Sequence, residues 1–357
     1  MKSIIHERPG VYSSYDASSL ISGVSGRKTV GLVALAAQGE TGKAVSLQSL
    51  ADGIAVFGQD AAGVAGMSTL LKLLFLNGAG TVVAVAVGKD GEGKADYAAA
   101  FSLLEEQDQV QLVVCDSAEL SVQQALCQHV QKSAESRCER IALVGSKGES
   151  VSQLVERAKT LNCERAVLVG PDVLDESGAV LSSVCGAAAL AGVIAASTDP
   201  AVPLNGVSLK GLSGLSKRFN DNEIDALVQG GVTPLEAVGG VISPVRNVTT
   251  RSLTGGEADM TWRELSTILI VDDVIPAIRR GLKSRFVRSK NTPQTRSAVR
   301  SQVIVELESK LAAEIIDGYG EVKVSALDGD PTVCLVEFDF SVAHGLNQIY
   351  LTAHITV

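Results

Sequence analysis

The sequence predicts a parallel-sheet α/β domain joined to a C-terminal α+β domain, with an extended arm at each end. Between residues 26 and 240, aliphatic runs alternate with helix-length segments, a pattern typical of a sheet covered by helices. Between residues 241 and 357, strand-like runs surround two amphipathic helical segments, which indicates an α+β domain. Residues 1–25 and 348–357 contain β-prone patches, and we expect them to be arms.

The strands expected in the α/β domain are uniformly apolar. They are Thr29–Ala36, Thr81–Val87, Gln111–Cys115, Arg140–Val144 and Arg165–Val169, with an extended piece at Val45–Leu47. The expected helices are Val64–Leu76, Lys94–Glu106, Ser121–Ser136, Ser150–Leu161 and Ala187–Ala196. A Gly-rich connector follows over residues 200–240, with a short helix at Asn222–Gln229 capped by Asn220 or Asp221.

Composition excludes several classes of protein. Apolar residues make up 46% of the 357 residues and charged residues 20%, so a disordered chain is not expected. Aromatic residues at 4% and a net charge of −9 argue against a nucleic-acid binder. The six cysteines include no CxxC pair, which argues against a zinc site and is typical of a reducing compartment. The apolar run Ala187–Ala196 is too short to cross a membrane.

Two features suggest a nucleotide- or metabolite-binding enzyme as an alternative. The first is the loop Gln38–Ala44, which follows a strand and contains Gly42-Lys43. A phosphate-binding loop would need Gly at position 37 and Ser or Thr at position 44, but both positions are Ala, so we expect a surface turn.

The second feature is the set of polar residues at the carboxyl ends of the predicted parallel strands, where ligands bind in open α/β sheets. These are Asp116-Ser117, Gly145-Ser146-Lys147 and Gly170-Pro171-Asp172. Such residues are also ordinary turn and cap residues, and none of the four histidines forms an evident nucleophile–base pair. We therefore predict no catalytic residue, no cofactor and no metal.

The C-terminal domain is predicted to begin with strand pieces at Gly240–Ile242 and Arg246–Thr250, followed by a Gly255-Gly256 turn. Thr267–Val271 is predicted as a buried strand, with Asp272-Asp273 capping the helix that follows and Pro276 in its first turn. This helix is basic. Its five basic residues are Arg279, Arg280, Lys283, Arg285 and Arg288.

A second helix is predicted to start at Thr292-Pro293, an N-cap followed by a first-turn proline, and to end near Gly318. Its apolar residues recur every four positions, as expected for a helix packed on one side. They are Val299, Val303, Leu307, Leu311 and Ile315. Three tail strands complete the domain: Glu321–Ala326, Val333–Val342 and Gln348–Val357.

The order of these features resembles that of contractile tail sheath proteins, which occur in phages with contractile tails and in related injection particles. The matching motifs are Arg8-Pro9-Gly10-Val11-Tyr12, Val248-Thr249-Thr250-Arg251, Trp262-Arg263-Glu264-Leu265, the Asp272-Asp273 helix, Phe286-Val287 and Asn291-Thr292-Pro293. The resemblance covers nearly the whole chain, and its specificity lies in the order of the motifs.

The resemblance implies a structural subunit, not an enzyme, that polymerises helically around an inner tail tube and contracts to drive the tube through a cell envelope. Its partners would be further copies of itself, the inner tail tube protein, and baseplate and tail terminator proteins, with no nucleic acid and no membrane insertion. It would reside in the virion tail after assembly in the bacterial host cytoplasm. Another self-assembling tail protein, such as a tube or baseplate subunit, is the alternative within the same class.

Two sets of residues are candidates for assembly contacts. The first is the basic helix, Arg279, Arg280, Lys283, Arg285 and Arg288, expected to face the tube; a solvated helix face is the alternative. The second comprises the terminal strands, which would pair between subunits or close their own sheet. Its residues are Ile349, Leu351, Ala353, Ile355, Val357, Val11 and Tyr12. The α/β domain, with acidic runs such as Glu105-Glu106, is expected to lie outermost.

Overall fold

The computed structural model describes residues 28–61 and 63–347. The predicted arms, 1–25 and 348–357, lie outside these residues. The described chain is built on an eight-stranded sheet with helices on both faces, followed by a C-terminal layer of two long helices and two strand pairs. Within the described residues, no helix is both long enough and apolar enough to cross a membrane.

The eight-stranded sheet consists of six parallel strands with one antiparallel strand at each edge. The strands are β1 (Thr29–Ala34), β2 (Ala44–Leu47), β3 (Val82–Ala86), β4 (Val110–Cys115), β5 (Ile141–Gly145), β6 (Ala166–Gly170), β7 (Val232–Val238) and β8 (Val241–Pro244). Their order across the sheet is β8-β7-β6-β5-β4-β1-β3-β2. Only β2 and β8 run antiparallel to their neighbours. The predicted parallel α/β class is confirmed.

Both faces of the sheet are buried under helices, as the uniformly apolar strands require. The helices are α1 (Leu50–Phe57), α2 (Met67–Leu76), α3 (Tyr97–Glu105), α4 (Leu120–Glu135), α5 (Val151–Leu161), α6 (Val184–Ala196) and α7 (Asp221–Gln229). Side chains of α1, α2 and α6 fill the core on one face, and those of α3, α4, α5 and α7 fill the core on the other.

The small residues of α6 allow it to lie directly on the sheet. A Cβ atom added to Gly145 of β5 would lie 2.1 Å from the backbone nitrogen of Val184, and one added to Gly192 would lie 2.7 Å from the carbonyl oxygen of Leu74 in α2. No side chain fits at such distances, so glycine is required at both positions.

Two elements of the α/β domain were not predicted. Helix α1 is short and contains Gly53, where an added Cβ would lie 2.5 Å from a methyl group of Leu71. Strand β7 contains Pro234, which usually argues against a strand. The proline lies where the strand changes partner: Val232–Pro234 pairs with β6, whereas Leu235–Val238 pairs with β8.

The predicted strand at Thr267–Val271 is wrong, because these residues belong to helix α8, which runs from Leu265 to Phe286. Its first half is apolar on two sides. Leu265, Ile268 and Leu269 pack into one core of the α/β domain, whereas Ile270, Val274 and Ile278 pack into a separate C-terminal core. A helix buried on two sides gives a continuous apolar run, which periodicity cannot distinguish from a buried strand.

Two details of α8 also differ from the prediction. Asp272 and Asp273 lie inside the helix instead of capping it, and Pro276 lies well beyond the first turn. Helix α9 runs from Pro293 to Ala312 and starts as predicted, with the Thr292 hydroxyl accepting the N–H of Thr295. It ends earlier than predicted, since the chain turns into a strand at Ile316.

The C-terminal core is closed by two strand pairs. The strands are β9 (Ile316–Tyr319), β10 (Lys323–Leu327), β11 (Asp330–Glu337) and β12 (Phe340–Val342). Strand β9 pairs with β12, and β10 pairs with β11. The single strand predicted over Val333–Val342 is therefore split in two, because its two parts pair with different partners.

Segment 246–250 was predicted as a strand, but its backbone bonds go to separate segments. Thr249 donates its N–H to Arg263, and Thr250 donates its N–H to Ala166. The Thr250 hydroxyl also bridges the N–H and the carbonyl of Cys163. This part of the threonine–arginine motif therefore ties the start of the C-terminal domain to the sheet.

Several loops contain two-residue strands that pair with one another in antiparallel fashion. The pairs are Gly88–Lys89 with Ala95–Asp96, Val173–Leu174 with both Val180–Leu181 and Gly214–Leu215, and Leu253–Thr254 with Glu257–Ala258. The last of these pairs forms the predicted turn at Gly255-Gly256.

Candidate assembly site

Helix α8 is attached to the α/β domain by a buried salt bridge. The two terminal guanidinium nitrogens of Arg165, the residue just before β6, donate to the two carboxylate oxygens of Asp272, at 2.8 and 2.9 Å. The exposed fractions of the two side chains are only 12% and 15%. Burial raises the pKa of the Asp272 carboxyl above its ordinary value, although the bond from Arg165 opposes this shift. The pair therefore fixes position at a desolvation cost.

Two further ion pairs hold the same helix. Asp273 contacts Lys310 of α9, so two adjacent carboxylates of α8 reach into different parts of the molecule. Arg279 contacts both carboxylate oxygens of Glu139, at 2.8 and 3.3 Å. Although burial opposes it, the hydrogen bond from Arg279 holds the pKa of Glu139 below its ordinary value. Arg279, predicted to face a tube, is thus engaged within its own subunit.

The other four predicted basic residues lie on an exposed surface. Arg280, Lys283, Arg285 and Arg288 are all exposed, and none forms an ion pair with a residue in 28–61 or 63–347. Their neighbourhood carries no negative charge in sequence, because residues 274–305 include eight Lys or Arg and no Asp or Glu. We call Arg280, Lys283, Arg285 and Arg288 the basic surface.

Helix electrostatics accounts for part of this pattern. Lys283 and Arg285 lie in the last turn of α8, where cations are favoured by the partial negative charge of the helix end. Arg280 lies further from that end, and Arg288 lies beyond the last helical residue, so the dipole does not explain the whole surface. The basic surface can bind a partner surface that is rich in carboxylates.

The second candidate set, Val11, Tyr12, Ile349, Leu351, Ala353, Ile355 and Val357, lies outside the described residues. The described chain reaches Asn347 beside Asn205, whose amide nitrogen donates to the Asn347 side chain at 2.8 Å. A cavity of about 240 Å³ opens here, between the start of α8 and residues 344–347. In the described residues, β12 pairs only with β9, which leaves strand edges in the C-terminal domain.

The carboxyl ends of the parallel strands are closed by the chain itself. Between β1 and β4, the Asp116 carboxylate accepts the N–H of Leu35 at 2.7 Å and the hydroxyl of Tyr97 at 2.8 Å. Burial raises the pKa of Asp116 to about 6. The place where a ligand binds in enzymes of this class is therefore bridged by a protein carboxylate.

The crevice between the carboxyl ends of β5 and β6 is also closed by side chains of the same chain. Ser183, at the start of α6, accepts the N–H of Ser146 at 2.7 Å and donates its hydroxyl to Val169 at 2.8 Å. Asp172 accepts the N–H groups of Gly148 and Ser183. These residues therefore tie neighbouring loops of the same chain together, and the Ser183 side chain makes no capping bond to α6.

The phosphate-loop-like segment forms a surface turn. Lys43 pairs with Glu40 at 2.5 Å, and both side chains are largely exposed, at 68% and 76%. The chain continues into strand β2 instead of a helix, so no helix N-terminus is directed at this loop. Among the described residues, no group of three or more His, Cys, Asp or Glu side chains could hold a metal ion.

Sequence reasoning missed the residues that fix the basic surface in place. Arg165 and Asp272 are 107 positions apart, and Arg279 and Glu139 are 140 apart, so no local pattern links them. The one local signal is the adjacent pair Asp272-Asp273, which in sequence alone indicates a helix cap.

Two family models match the chain. One, described as the phage tail sheath protein central domain, matches residues 90–250, and another, the phage tail sheath C-terminal domain, matches residues 257–356. The tail sheath protein of Bacillus phage SP01 is 31% identical over 274 residues, covering 75% of this chain and 47% of that relative. The tail sheath protein of Mycobacterium phage Bxz1 is 25% identical over 296 residues, covering 78% and 49%. The chain thus spans about half the length of these curated relatives.

Solved structures share the fold at low identity. The sheath tail protein from Desulfitobacterium hafniense superposes with a TM-score of 0.73 at 12% identity, covering 98% of this chain and 100% of that one. The helical sheath of the anti-feeding prophage in its contracted state gives 0.72 at 19% identity, covering 98% and 99%. The two sheath domains occur in order along the sequence, and the fold agrees with them. The chain belongs to the contractile phage tail sheath protein family.

Proposed function

We propose that the chain is a subunit of a contractile sheath that polymerises helically around an inner tube and shortens to drive the tube through a target envelope. The observation that carries this proposal is the match to both sheath domains, in order, over residues 90–250 and 257–356. A head-to-tail interface whose rotation does not close generates an open helical polymer of this kind. The work of contraction comes from the difference in free energy between two lattices, so the protein needs no nucleotide.

Electron microscopy of the purified protein at high concentration tests this proposal. We expect hollow tubular polymers with a wide lumen, and sheathed tubes when inner tubes are added. Uniform small oligomers under all conditions would contradict the proposal. Tubes that never adopt a shorter, wider form would instead favour a tube or baseplate subunit.

We also propose that the chain has no catalytic activity. This is supported by the crevices at the carboxyl ends of β1, β4, β5 and β6, where Asp116, Asp172 and Ser183 bind backbone groups of the same chain. Screening with nucleotides and common metabolites by thermal shift should give no saturable stabilisation. If a ligand stabilises the wild-type protein and this stabilisation is absent in Asp116→Asn, the enzyme alternative is supported.

The basic surface is the part of the subunit that we propose faces the inner tube, whose partner surface would be acidic. The support is its exposure, its lack of acidic neighbours in sequence and its position on a helix anchored to both cores. In Lys283→Glu together with Arg288→Glu, assembly on tubes should fall, whereas tube-free polymers should persist. If both forms of assembly are unchanged at low and at high salt, the solvated-face alternative is correct.

The terminal strands are proposed to pair with neighbouring subunits. The support is the two-stranded pairs of the described C-terminal domain, whose edges can accept a further strand. Removing residues 349–357, or 1–12, should abolish polymers and leave a folded monomer. A truncated protein that fails to fold would place the strand in its own domain, and normal polymers from both truncations would rule out the exchange.

The remaining proposals concern position. We place the α/β domain, predicted over residues 26–240 and completed in the structure by strand β8, on the outside of the sheath, because the basic surface belongs to the other domain. The baseplate and tail terminator proteins would contact the two ends of the polymer, and the polymer would assemble in the bacterial cytoplasm before joining the virion tail. Antibodies against Glu105-Glu106 epitopes should therefore label intact sheaths along their length.

A further inference from the structure

We propose that Gln302 is a positioning residue that holds Arg285 outward on the basic surface without neutralising it. The proposal rests on the function assigned to that surface. Gln302 lies on α9 and is only 4% exposed, so it is a polar side chain buried between two helices. Buried amides need hydrogen-bond partners, and those of Gln302 link the two helices.

The partners of Gln302 fix the orientation of its amide. Its carbonyl oxygen accepts a hydrogen bond from a terminal guanidinium nitrogen of Arg285, and its amide nitrogen donates to the Glu306 carboxylate at 2.8 Å. A guanidinium can only donate and a carboxylate can only accept, so a glutamine between them has one possible orientation. Leucine could make neither bond, and glutamate could make only the first.

Close packing of the helices makes this arrangement possible. A Cβ atom added to Gly281 of α8 would lie 2.9 Å from a carboxylate oxygen of Glu306 and 3.2 Å from the amide nitrogen of Gln302. Glycine at this position therefore gives room to the two polar side chains of α9. The three residues Gly281, Gln302 and Glu306 form one support under Arg285.

Comparison with Arg279 shows what the support achieves. Arg279 is held by the carboxylate of Glu139, so its charge is compensated inside the subunit. Arg285 is held by a neutral amide, and its other N–H groups have no partner in the described chain. Its side chain is thus partly ordered while its charge remains available, which lowers the entropy cost of binding an external carboxylate.

The test is the assembly of full-length sheath protein on inner tubes formed by the tube protein of the same particle. In Gln302→Met, which keeps the side-chain volume, the concentration needed for assembly should rise about 2- to 10-fold, as expected when one long side chain must be ordered on binding. Tube-free polymers should form normally. In an Arg285→Ala background, adding Gln302→Met should cause no further loss.

A second variant separates the ordering of the Arg285 side chain from the availability of its charge. In Gln302→Glu combined with Glu306→Gln, which keeps one carboxylate and one amide in contact, Arg285 would remain held but would be neutralised, so assembly on tubes should fall at least as far as in Gln302→Met. The proposal would be overturned if Gln302→Met assembled on tubes as well as wild type. It would also be overturned if Gln302→Met weakened assembly equally in the wild-type and Arg285→Ala backgrounds. If wild-type protein itself fails to assemble on tubes, the proposed function fails and this proposal fails with it; if it assembles and only Gln302→Met is silent, the proposed function survives.

Discussion

Helix α8 divides after Arg279 into two parts, called here its first half and its second half, which differ in what their charged residues contact. In the first half, Asp272 and Asp273 contact Arg165 and Lys310 inside the subunit, and apolar residues enter two cores. In the second half, Arg280 and Lys283 contact no oppositely charged residue of the described chain, and the same holds for Arg288, just beyond the end of the helix. One helix therefore joins the domains at one end and presents a basic surface at the other.

This difference separates two roles that the sequence presents as one charged, amphipathic segment. Paired and buried charges set the geometry of the subunit, whereas exposed and unpaired charges are available to a partner. Substitutions in the first half should therefore change stability, and substitutions in the second half should change assembly.

The largest effect is expected from breaking the buried pair. Asp272→Ala leaves the buried guanidinium of Arg165 without its hydrogen-bonded carboxylate, which should lower the free energy of unfolding by about 3–5 kcal/mol. Chemical denaturation of the soluble subunit measures this change. A loss below about 1 kcal/mol would mean that the pair behaves like a surface salt bridge.

Replacing both partners should have a much smaller effect. The double variant Arg165→Met with Asp272→Leu fills the same space with apolar groups. Its free energy of unfolding should be close to that of wild type, or higher. The raised pKa of Asp272 supports this expectation, because the carboxylate is desolvated. A double variant as unstable as Asp272→Ala would show that the pair contributes net stability.

Packing in the first half should be the next most sensitive property. Ile270 is fully buried in the C-terminal core, so Ile270→Ala should cost about 2–5 kcal/mol and Ile270→Val about 0.5–1.5 kcal/mol. Val287, at the other end of the helix, is 71% exposed and serves as the control. Val287→Ala should change stability by less than about 0.5 kcal/mol. Equal effects at the two sites would remove the distinction between the halves.

Much of the fold could be predicted because local patterns and tertiary structure agree. Strands β4, β5 and β6 are buried almost throughout, and β5 is followed by helix α5, whose start is marked by a capping box of Ser150 and Gln153. Helix α9 was placed correctly at its start because Thr292-Pro293 is a strong N-terminal signal.

The first half of α8 could not be predicted, for a physical reason. Because it packs against two cores, its polar face is lost and Ile268-Leu269-Ile270-Val271 has the composition of a strand. The basic residues of the site were identified in sequence, but their division into paired and unpaired groups depends on Glu139, which is distant in sequence. The support under Arg285 likewise depends on the contact between two helices.

The most direct measurement compares two adjacent arginines of α8. Arg279 is bound to Glu139, whereas Arg280 is exposed and has no ion-pair partner in the described chain. Unfolding and assembly on inner tubes are measured for Arg279→Glu and for Arg280→Glu. We expect Arg279→Glu to lose about 1 kcal/mol of stability, since the pair is partly exposed, and Arg280→Glu to keep its stability but lose tube assembly. If the two variants lose stability and assembly to the same extent, the division of α8 into an internal and an external half is wrong.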